Sequence, residues 1–394
     1  MISLTRLLLG QRGQGDHLRY DRGEAEPWYR SLEAALRRRP VVVWNVTGRC
    51  NLRCAHCYAA SGPCVAEGEL STEEGLQFLQ ELADFGAPVV LFSGGEPLLR
   101  EDLPTLAEEA VRRGLRAVIS TNGTCMTPEL AARLKAAGIS YVGVSLDGLE
   151  ATNDRFRGVR GAFEEALQGI RNCQEAGLRV GLRFTVNRRN VGDLEGVLDL
   201  CEEEGIPRCC VYHLAYAGRG AALAREDLAP PEALRVVESL CARAERPAGA
   251  ERELELLTVD NHCDGVYAYL RLTAEGAARA EEVAALLTRS GGNSSGVGIG
   301  CVDERGDVHP DQFWRACTVG NVRERPFGEI WTDMAQDTLR GLKHRAPLIT
   351  GRCAADHCRW FDWCNGNLRV RAEAGGDMWG PDPACYLTDE EIAR

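Results

Sequence analysis

Residues 41–57 read Val-Val-Val-Trp-Asn-Val-Thr-Gly-Arg-Cys-Asn-Leu-Arg-Cys-Ala-His-Cys, an apolar run followed at once by three closely spaced cysteines. The apolar run over 41–47 predicts a fully buried strand. The cysteines begin where this strand ends. Because catalytic groups of α/β barrels collect in the loops that follow the strands, the stretch predicts both the first strand of a barrel and its reactive centre.

A regular alternation of strand-like and helix-like segments continues from this point. Apolar, strand-like runs lie at 88–92, 115–120, 139–146, 178–186 and 207–214. Helix-like stretches separate them at 72–84, 102–113, 127–137, 161–176 and 190–204. Ser71 and Thr127 are suitable N-caps for two of these helices. Six strands with right-handed helical crossovers predict an α/β fold, a partial (β/α)6 barrel of the TIM type.

The rest of the chain divides into further regions. We expect an irregular N-terminal extension, the barrel, a linking α/β segment and a small C-terminal domain, at 1–39, 40–225, 226–296 and 297–394. The linking segment has helix-like residues at 230–245 and 274–289 and a strand-like run at 254–259. The C-terminal region is rich in short runs, glycines and cysteines, which is typical of a small domain stapled by a metal.

Composition limits the class of protein. The chain has 394 residues, 44% of them apolar, which argues against disorder. With a net charge of −12, the chain lacks the positive electrostatic field of a nucleic-acid binder. We find no apolar run long enough for a membrane span and no export signal, so we expect a cytoplasmic chain that binds neither membrane nor nucleic acid. In a reducing cytosol, 17 cysteines indicate metal binding or packing rather than disulfides.

The first cysteine group, Cys50, Cys54 and Cys57, has the spacing C-x3-C-x2-C. Three thiolates this close can hold three irons of a [4Fe–4S] cluster and leave the fourth iron open for catalysis. The alternatives are three packed thiols or a zinc site with His56 as the fourth ligand. The position of His56 beside Cys57 would strain such a zinc site.

The same three cysteines followed by an aromatic residue, Tyr58, resemble the signature of the radical S-adenosylmethionine (SAM) superfamily. The loops after the next three strands agree with the family in order: Ser93-Gly-Gly-Glu-Pro97, Ser120-Thr-Asn-Gly123 and Ser145-Leu-Asp-Gly148. The resemblance implies that Cys50, Cys54 and Cys57 bind the catalytic cluster. It further implies SAM contacts from Tyr58, Gly94, Gly95, Glu96, Asn122, Ser145 and Arg157.

These residue types suit the parts of SAM. A carboxylate such as Glu96, or carbonyls made accessible by Gly94 and Gly95, can receive the methionyl ammonium. The guanidinium of Arg157 can pair with the carboxylate. Ordinary turn formation is the alternative for the Asn-Gly and Asp-Gly pairs, and Asp147 could equally cap a helix.

A second cysteine group lies near the C-terminus. Cys353, Cys358, Cys364 and Cys385 have the spacing C-x4-C-x5-C-x20-C and could bind another [4Fe–4S] cluster. This resembles the SPASM or twitch-like auxiliary domain of radical SAM enzymes, although Asp356-His357 lengthens the first gap. His357 as a substitute ligand, a structural zinc, and participation of Cys301 and Cys317 remain alternatives. We expect the other thiols to be mainly packed hydrophobes: Cys64, Cys125, Cys173, Cys201, Cys209, Cys210, Cys241 and Cys263.

Longer stretches narrow the resemblance. Tyr212-His-Leu-Ala-Tyr-Ala-Gly-Arg219 and Thr258-Val-Asp-Asn-His-Cys-Asp-Gly265 are similar to radical SAM enzymes that act on siroheme-derived tetrapyrroles. The resemblance implies removal of two acetate side chains from 12,18-didecarboxysiroheme, giving iron-coproporphyrin III. Alternatives are replacement of propionates by oxo groups in heme d1 biosynthesis, heme synthesis from iron-coproporphyrin III, or peptide modification by a SPASM maturase. An electron donor such as ferredoxin or flavodoxin is also implied.

A flat, iron-bearing polycarboxylate substrate requires arginines for its carboxylates and could use an imidazole for its iron. Arg183, Arg219 and Arg315 are the arginine candidates, with surface charge as the alternative. His213, His262 and His309 are the histidine candidates, with a hydrogen-bonded scaffold role as the alternative. We favour His213 and His309 because both lie in motif-like stretches near predicted strand ends. A non-catalytic iron–sulfur electron carrier is less well supported, since the first group supplies only three cysteines.

Overall fold

The protein is described here by a computed structural model covering residues 1–20, 26–246 and 254–394. Its strands are β1 (Ile2–Ser3), β2 (Val41–Asn45), β3 (Val89–Ser93), β4 (Arg116–Thr121), β5 (Tyr141–Ser145), β6 (Val180–Val186), β7 (Arg208–His213), β8 (Glu255–Val259), β9 (Ile299–Val302), β10 (Asp307–His309) and β11 (Gly320–Asn321). They form one sheet in the order β1-β8-β7-β6-β5-β4-β3-β2-β9-β10-β11. The sheet is open, with β1 and β11 at its edges.

The N-terminal extension is ordered, so the expectation of an irregular lead-in is wrong for its described part. It contains α1 (Leu4–Leu9), α2 (Asp16–Arg19) and α3 (Leu32–Arg37). Strand β1 pairs antiparallel with β8, with Ile2 opposite Thr258. Leu4 and Leu7 are fully buried, because α1 packs under the sheet edge. Residues 21–25 of this predicted region, and 247–253 of the linking segment, lie outside the described residues.

The barrel prediction is confirmed. Strands β2 to β7 pair in parallel in chain order. The intervening helices are α4 (Thr72–Phe85), α5 (Leu103–Arg112), α6 (Pro128–Ala136), α7 (Glu150–Arg157), α8 (Ala162–Glu175) and α9 (Leu194–Glu203). Ser71 and Thr127 cap α4 and α6 as expected. Helix α7 was not predicted, because its sequence is polar and contains few apolar residues to mark a period.

The parallel sheet extends beyond six strands. Strand β8 pairs in parallel with β7, and β9 pairs in parallel with β2. The hairpin of β9 and β10 therefore continues the barrel sheet across the predicted boundary at residue 297. The predicted helix at 274–289 is present as α12, which begins later, at Ala280. Helix α11, over Cys263–Ala274, was not predicted.

The remaining helices surround the C-terminal half of the molecule. They are α10 (Pro230–Ala244), α11 (Cys263–Ala274), α12 (Ala280–Ser290), α13 (Phe327–Thr332), α14 (Asp337–Lys343), α15 (Phe361–Cys364), α16 (Arg369–Ala374) and α17 (Asp389–Ile392). None of the described helices combines the length and apolar character that a membrane span requires.

Side-chain alternation along the strands creates the space inside the sheet. On β2, Val42 and Trp44 point outward and are fully buried, with Trp44 packed edge-on against Phe78 of α4. Val41 and Val43 point inward and line a cavity. Because successive strand residues face opposite sides, one short apolar run supplies both the outer core and the inner wall.

Candidate active site

A cavity of about 430 Å³ lies inside the partial barrel. Ser93 and Ser145 line it where β3 and β5 end. Arg116 and Arg208 line it where β4 and β7 begin. The cavity therefore runs the length of the strands, and the first cysteine group lies beyond their carboxyl ends.

The segment that carries the first cysteine group, residues 48–58, is named here the cluster loop. Cys50 and Cys54 are buried and Cys57 is half-buried. The Leu52 amide donates to Cys50 Sγ at 3.4 Å, and Arg157 Nη1 donates to Cys54 Sγ at 3.5 Å. Donors aimed at sulfur stabilise thiolates that bind iron.

The thiols of the cluster loop have the chemistry of metal ligands. Burial raises the pKa of Cys50 to about 12, so solvent alone does not ionise this thiol. A bound metal cation deprotonates a thiol in spite of such a shift. The residues therefore fit an iron–sulfur cluster, whose positive irons would supply the missing charge.

The zinc alternative finds no support in the geometry. His56 turns away from the cysteines: its ring stacks on Phe156 at 4.6 Å, and Nε2 lies 3.3 Å from Asp147 Oδ2. Across residues 1–20, 26–246 and 254–394, no three His, Cys, Asp or Glu side chains are arranged to hold a single metal ion. A four-iron cluster spaces its thiolates more widely than one ion does, so this result is compatible with a cluster.

The Gly-Gly-Glu loop lies directly on the cluster loop. The amides of Gly95 and Glu96 donate to the carbonyls of Thr47 and Arg49 at 2.7 and 2.8 Å. Gly94 has φ +137°, and a Cβ on Gly95 would collide with the Arg49 carbonyl. Glycine is therefore required for this close approach of two backbones.

Glu96 is placed differently from the expectation that it receives the SAM ammonium. Its carboxylate is fully buried and accepts hydrogen bonds from Thr121 Oγ1 at 2.6 Å and from the Asn122 amide at 2.7 Å. It also accepts from the Leu98 amide at 3.0 Å. Glu96 thus joins the loops after β3 and β4.

Arg157 lies at the site as predicted and already has a carboxylate partner. Its guanidinium forms an ion pair with Asp147, and both side chains are buried. Asp147 Oδ1 accepts from the Thr185 amide at 2.7 Å. The possible helix-capping role of Asp147 is therefore wrong, because the carboxylate instead fixes the guanidinium beside Cys54.

The other predicted SAM contacts divide into two groups. Tyr58 and Ser145 line the cavity, and the Tyr58 hydroxyl lies 3.2 Å from Ser93 Oγ. Asn122 is bound within the protein: its Nδ2 donates to Asn51 Oδ1 at 2.9 Å and approaches Cys50 Sγ at 4.0 Å. Asn122 therefore positions the cluster loop.

Among the predicted substrate contacts, Arg183 and His213 line the cavity. Arg183 Nη1 donates to Ser120 Oγ at 2.7 Å, and Nε has no hydrogen-bond partner among the described residues. His213 Nε2 is 2.9 Å from Asp264 Oδ2. Burial opposes the charged imidazolium, but Asp264 outweighs it and raises the pKa of His213.

Arg219, Arg315 and His309 lie outside the cavity lining. Arg219 donates to the carbonyls of Cys54 and Ser61 at 2.8 and 2.7 Å, so it holds the cluster loop. Arg315 binds Asp303 and Glu304 at 3.0 and 2.7 Å. His309 Nδ1 is bound to the Cys317 carbonyl at 3.0 Å. Their motif-like surroundings reflect scaffold contacts in this structure.

The second cysteine group converges on one small enclosed space. Cys353, Cys358, Cys364 and Cys385 all line it, and a fifth thiol, Cys263, joins them from the start of α11. The neighbouring thiols of Cys364 and Cys385, together with burial, raise the pKa of Cys263. The expectation that Cys263 is only a packed hydrophobe is therefore wrong. His357, Cys301 and Cys317 do not line this space.

Several residues of the site were missed from the sequence. Arg116 and Arg208 at the amino ends of the strands line the cavity. They could have been found from inward alternation along β4 and β7. Asp260 is half-buried, lines the cavity and adopts φ +68°, which is uncommon outside glycine. No sequence signal marks that conformation.

Comparison with known proteins agrees with this arrangement. Residues 44–201 match the model of the radical SAM superfamily. The chain is 54% identical to an Fe-coproporphyrin III synthase of Methanosarcina barkeri, covering 100% of this chain and 99% of that protein. The chain is a member of the radical SAM superfamily. Membership implies a [4Fe–4S] cluster and SAM as cofactors of this radical SAM enzyme.

Other relatives of this radical SAM enzyme are more distant. A pre-heme d1 synthase of Dinoroseobacter shibae is 43% identical over 90% of this chain and 87% of that protein. An AdoMet-dependent heme synthase of Methanosarcina barkeri is 33% identical over 88% and 95%. The crystal structure of Streptococcus suis SuiB has a TM-score of 0.68 at 18% identity, covering 89% of this chain and 78% of that one, and supports the fold.

Proposed function

We propose that this radical SAM enzyme removes two acetate side chains from 12,18-didecarboxysiroheme and so produces iron-coproporphyrin III. Identity of 54% over the whole chain to an Fe-coproporphyrin III synthase supports the proposal. The structural observation that carries it is the cavity beside the cluster loop. Its lining includes Arg116 and Arg183, which form no ion pair with a carboxylate in the described part of the chain. The carboxylates of a polycarboxylate ring would supply the negative charge that these two arginines lack.

The enzyme's own groups would hold SAM at the carboxyl ends of the strands. The carbonyls of Gly94 and Gly95 suit the ammonium, and the guanidinium of Arg157 suits the carboxylate. Asp147 would keep Arg157 oriented in both the free and bound states. Cys50, Cys54 and Cys57 would hold the cluster, which together with SAM would supply the radical chemistry that removes hydrogen from a substrate side chain.

The cavity walls would protect this radical chemistry from water. Val43, Leu91 and Val118 line the cavity between the cluster loop and the arginines. A primary alkyl radical reacts unselectively, so an enclosed apolar wall favours the intended hydrogen transfer. Arg183 lies on β6 within this lining and would fix a substrate carboxylate relative to the reacting side chain.

We further propose an auxiliary [4Fe–4S] cluster bound by Cys353, Cys358, Cys364 and Cys385 within residues 297–394. The four thiols and their enclosed surroundings fit a cluster with every iron bound by protein. Such a closed cluster suits electron transfer rather than substrate binding. A small reduced protein such as ferredoxin or flavodoxin would donate electrons, and the reducing cytoplasm would keep all five thiols free of disulfides.

The test is product analysis with the full-length enzyme, reconstituted anaerobically with iron and sulfide. With 12,18-didecarboxysiroheme, SAM and dithionite, we expect 5′-deoxyadenosine and a product whose mass has lost both acetate groups. A dioxo product would overturn the proposal in favour of heme d1 chemistry. Unchanged substrate accompanied by 5′-deoxyadenosine would also contradict it.

Variants sharpen this test. Arg183→Gln should raise KM for the tetrapyrrole by roughly tenfold or more, because a charged hydrogen bond contributes about 1.5–3 kcal/mol. SAM cleavage without substrate should not change. Arg160→Gln is the matched control, since Arg160 is exposed. Equal KM values for the two variants would remove Arg183 from the substrate site.

A further inference from the structure

The turn formed by residues 260–262, Asp-Asn-His, connects β8 to α11 and forms part of the cavity wall. Asp260 holds a left-handed conformation, with φ +68°. Such a conformation persists in a non-glycine residue only where the surroundings fix it. Arg371 supplies one restraint by donating to the Asp260 carbonyl.

Contacts from the C-terminal region fix the rest of this turn. Asn261 Nδ2 donates to the Ala384 carbonyl at 3.1 Å, and Asn261 Oδ1 accepts from Asn367 Nδ2 at 2.7 Å. The His262 amide donates to Asn367 Oδ1 at 2.9 Å. The backbone of His262 is therefore held rigidly while its side chain lines the cavity.

The imidazole of His262 lacks the partner that its burial demands. The residue is only 7% exposed, and its Nδ1 is buried without a hydrogen bond to any described residue. A buried polar atom left unpaired destabilises the fold, so this nitrogen is free for a ligand. Burial also lowers the pKa of His262 well below its usual range, so the ring is neutral, the form that binds metals.

The other histidines of the chain are placed differently. His56 and His213 also line the cavity, but each has a carboxylate within reach, Asp147 at 3.3 Å and Asp264 at 2.9 Å. His309 is bound to a carbonyl outside the cavity lining. The other three histidines, His17, His344 and His357, are exposed.

We propose that His262 is an axial ligand to the iron of the tetrapyrrole substrate. The inference rests on the proposed function, which brings an iron-bearing ring into this cavity. Arginines such as Arg183 would bind the carboxylates of the ring. The iron is then the part of the ring that a neutral imidazole can bind. Ligation from a rigid turn would fix the ring plane and so decide which side chains face the cluster loop.

The experiment compares two probes on the reconstituted full-length enzyme: ferric iron-coproporphyrin III and metal-free coproporphyrin III. Binding is measured by titration, and iron ligation by absorption and electron paramagnetic resonance spectra. We expect nitrogen ligation of the iron probe in the wild type. His262→Ala should lose that spectrum and bind the iron probe at least about tenfold more weakly. It should bind the metal-free probe as well as the wild type does.

Two further variants guard against a folding defect and a wrong assignment. His262→Gln keeps a polar side chain and should lose the same spectrum, and added imidazole should restore nitrogen ligation in His262→Ala. His17→Ala is the exposed control and should match the wild type. Equal weakening for both probes would overturn the inference, because it would mean a contact with the ring rather than the iron. A spectrum that follows His213→Gln or His56→Gln instead would also overturn it.

Failure of this inference can be separated from failure of the proposed function. If the wild type releases the deacetylated product but His262→Ala leaves the spectrum of the bound iron probe unchanged, only the inference fails. If the wild type binds neither probe and forms no such product, the proposed function itself fails.

Discussion

The two cysteine sites of this enzyme are built from the same side chain but differ in how open they are and in where their thiols come from. The cluster loop gathers three thiols from one short stretch and adjoins a cavity of about 430 Å³. The second site gathers five thiols from distant parts of the chain into a small space walled by residues such as Trp360 and Phe361. The comparison teaches that an open, three-thiol site can offer iron to a ligand, whereas an enclosed site would keep a bound metal covered.

The largest expected effect comes from removing one ligand at each site. Cys54→Ala should abolish 5′-deoxyadenosine formation and keep about four irons per chain at the second site. Cys358→Ala should keep cleavage of SAM and lose the other iron. Both are checked by iron analysis and by assay of the nucleoside.

The control for this pair is Cys64→Ala, since Cys64 is exposed and lies outside both sites. It should retain all iron and full cleavage activity. Loss of SAM cleavage in Cys358→Ala with its remaining iron intact would contradict the division of roles between the two sites.

A smaller but still large effect is expected at the buried ion pair that ties the second site to the cavity wall. Arg371 and Asp382 are both fully buried and 2.8 Å apart. Arg371→Met would leave the Asp382 carboxylate buried without its counter-ion, so we expect the enzyme to lose about 3–5 kcal/mol of stability. The midpoint of urea unfolding measures this loss.

An exposed pair provides the matched comparison. Arg340 pairs with Asp337, whose side chain is 85% exposed, and Arg340→Met should change stability by less than about 1 kcal/mol. If the two variants unfold at the same urea concentration, the buried pair does not hold the second site to the barrel.

An intermediate effect, dependent on pH, is expected at the first site. Burial lowers the pKa of His56 to about 4, below the usual value of 6.5. In this pH range His56 is protonated in the unfolded chain but neutral in the folded chain. The free energy of unfolding therefore falls as the pH drops from about 6.5 to about 4. Between pH 7 and pH 5 the loss due to His56 should be about 1–2 kcal/mol.

The His56→Gln variant isolates this contribution, because glutamine does not titrate. On going from pH 7 to pH 5, the urea midpoint of the wild type should fall by more than that of the variant. A difference that is independent of pH would show that His56 is protonated equally in both states.

The smallest expected effect concerns the fifth thiol. Cys263→Ser replaces a thiol that lines the same space as Cys364 and Cys385 without removing any of the four proposed ligands. The iron expected at the second site should remain, stability should change by no more than about 1 kcal/mol, and the reduction potential of the proposed auxiliary cluster should shift. Loss of iron in this variant would instead make Cys263 a ligand.

The sequence predicted what depends on short-range patterns. The six parallel strands and the caps at Ser71 and Thr127 followed from apolar runs and local residue types, and the structure has both. The first cysteine group stood out because its spacing is local. Strand β1 has only two residues, which is too short for any periodic pattern to detect.

What the sequence could not predict depends on which segments meet in space. Cys263 reaches the second site only because α11 packs against α15, and nothing at position 263 signals this. Arg219 and Arg315 were substrate candidates, yet their guanidinium groups hold backbone carbonyls and nearby carboxylates. A motif marks that a residue matters, and only the surrounding contacts tell what it touches.

The order of strands in the sheet has a consequence for how the enzyme is made. Strand β2, which precedes the cluster loop, takes β3 as one neighbour and β9 as the other, so its second neighbour is synthesised long after it. Strand β1 likewise waits for β8. Pairings between strands so distant in sequence form slowly, and the intermediates that precede them are prone to aggregate. Most of the polypeptide must therefore be synthesised before the barrel can form around Cys50, Cys54 and Cys57. Iron that arrives earlier would meet an incompletely folded site.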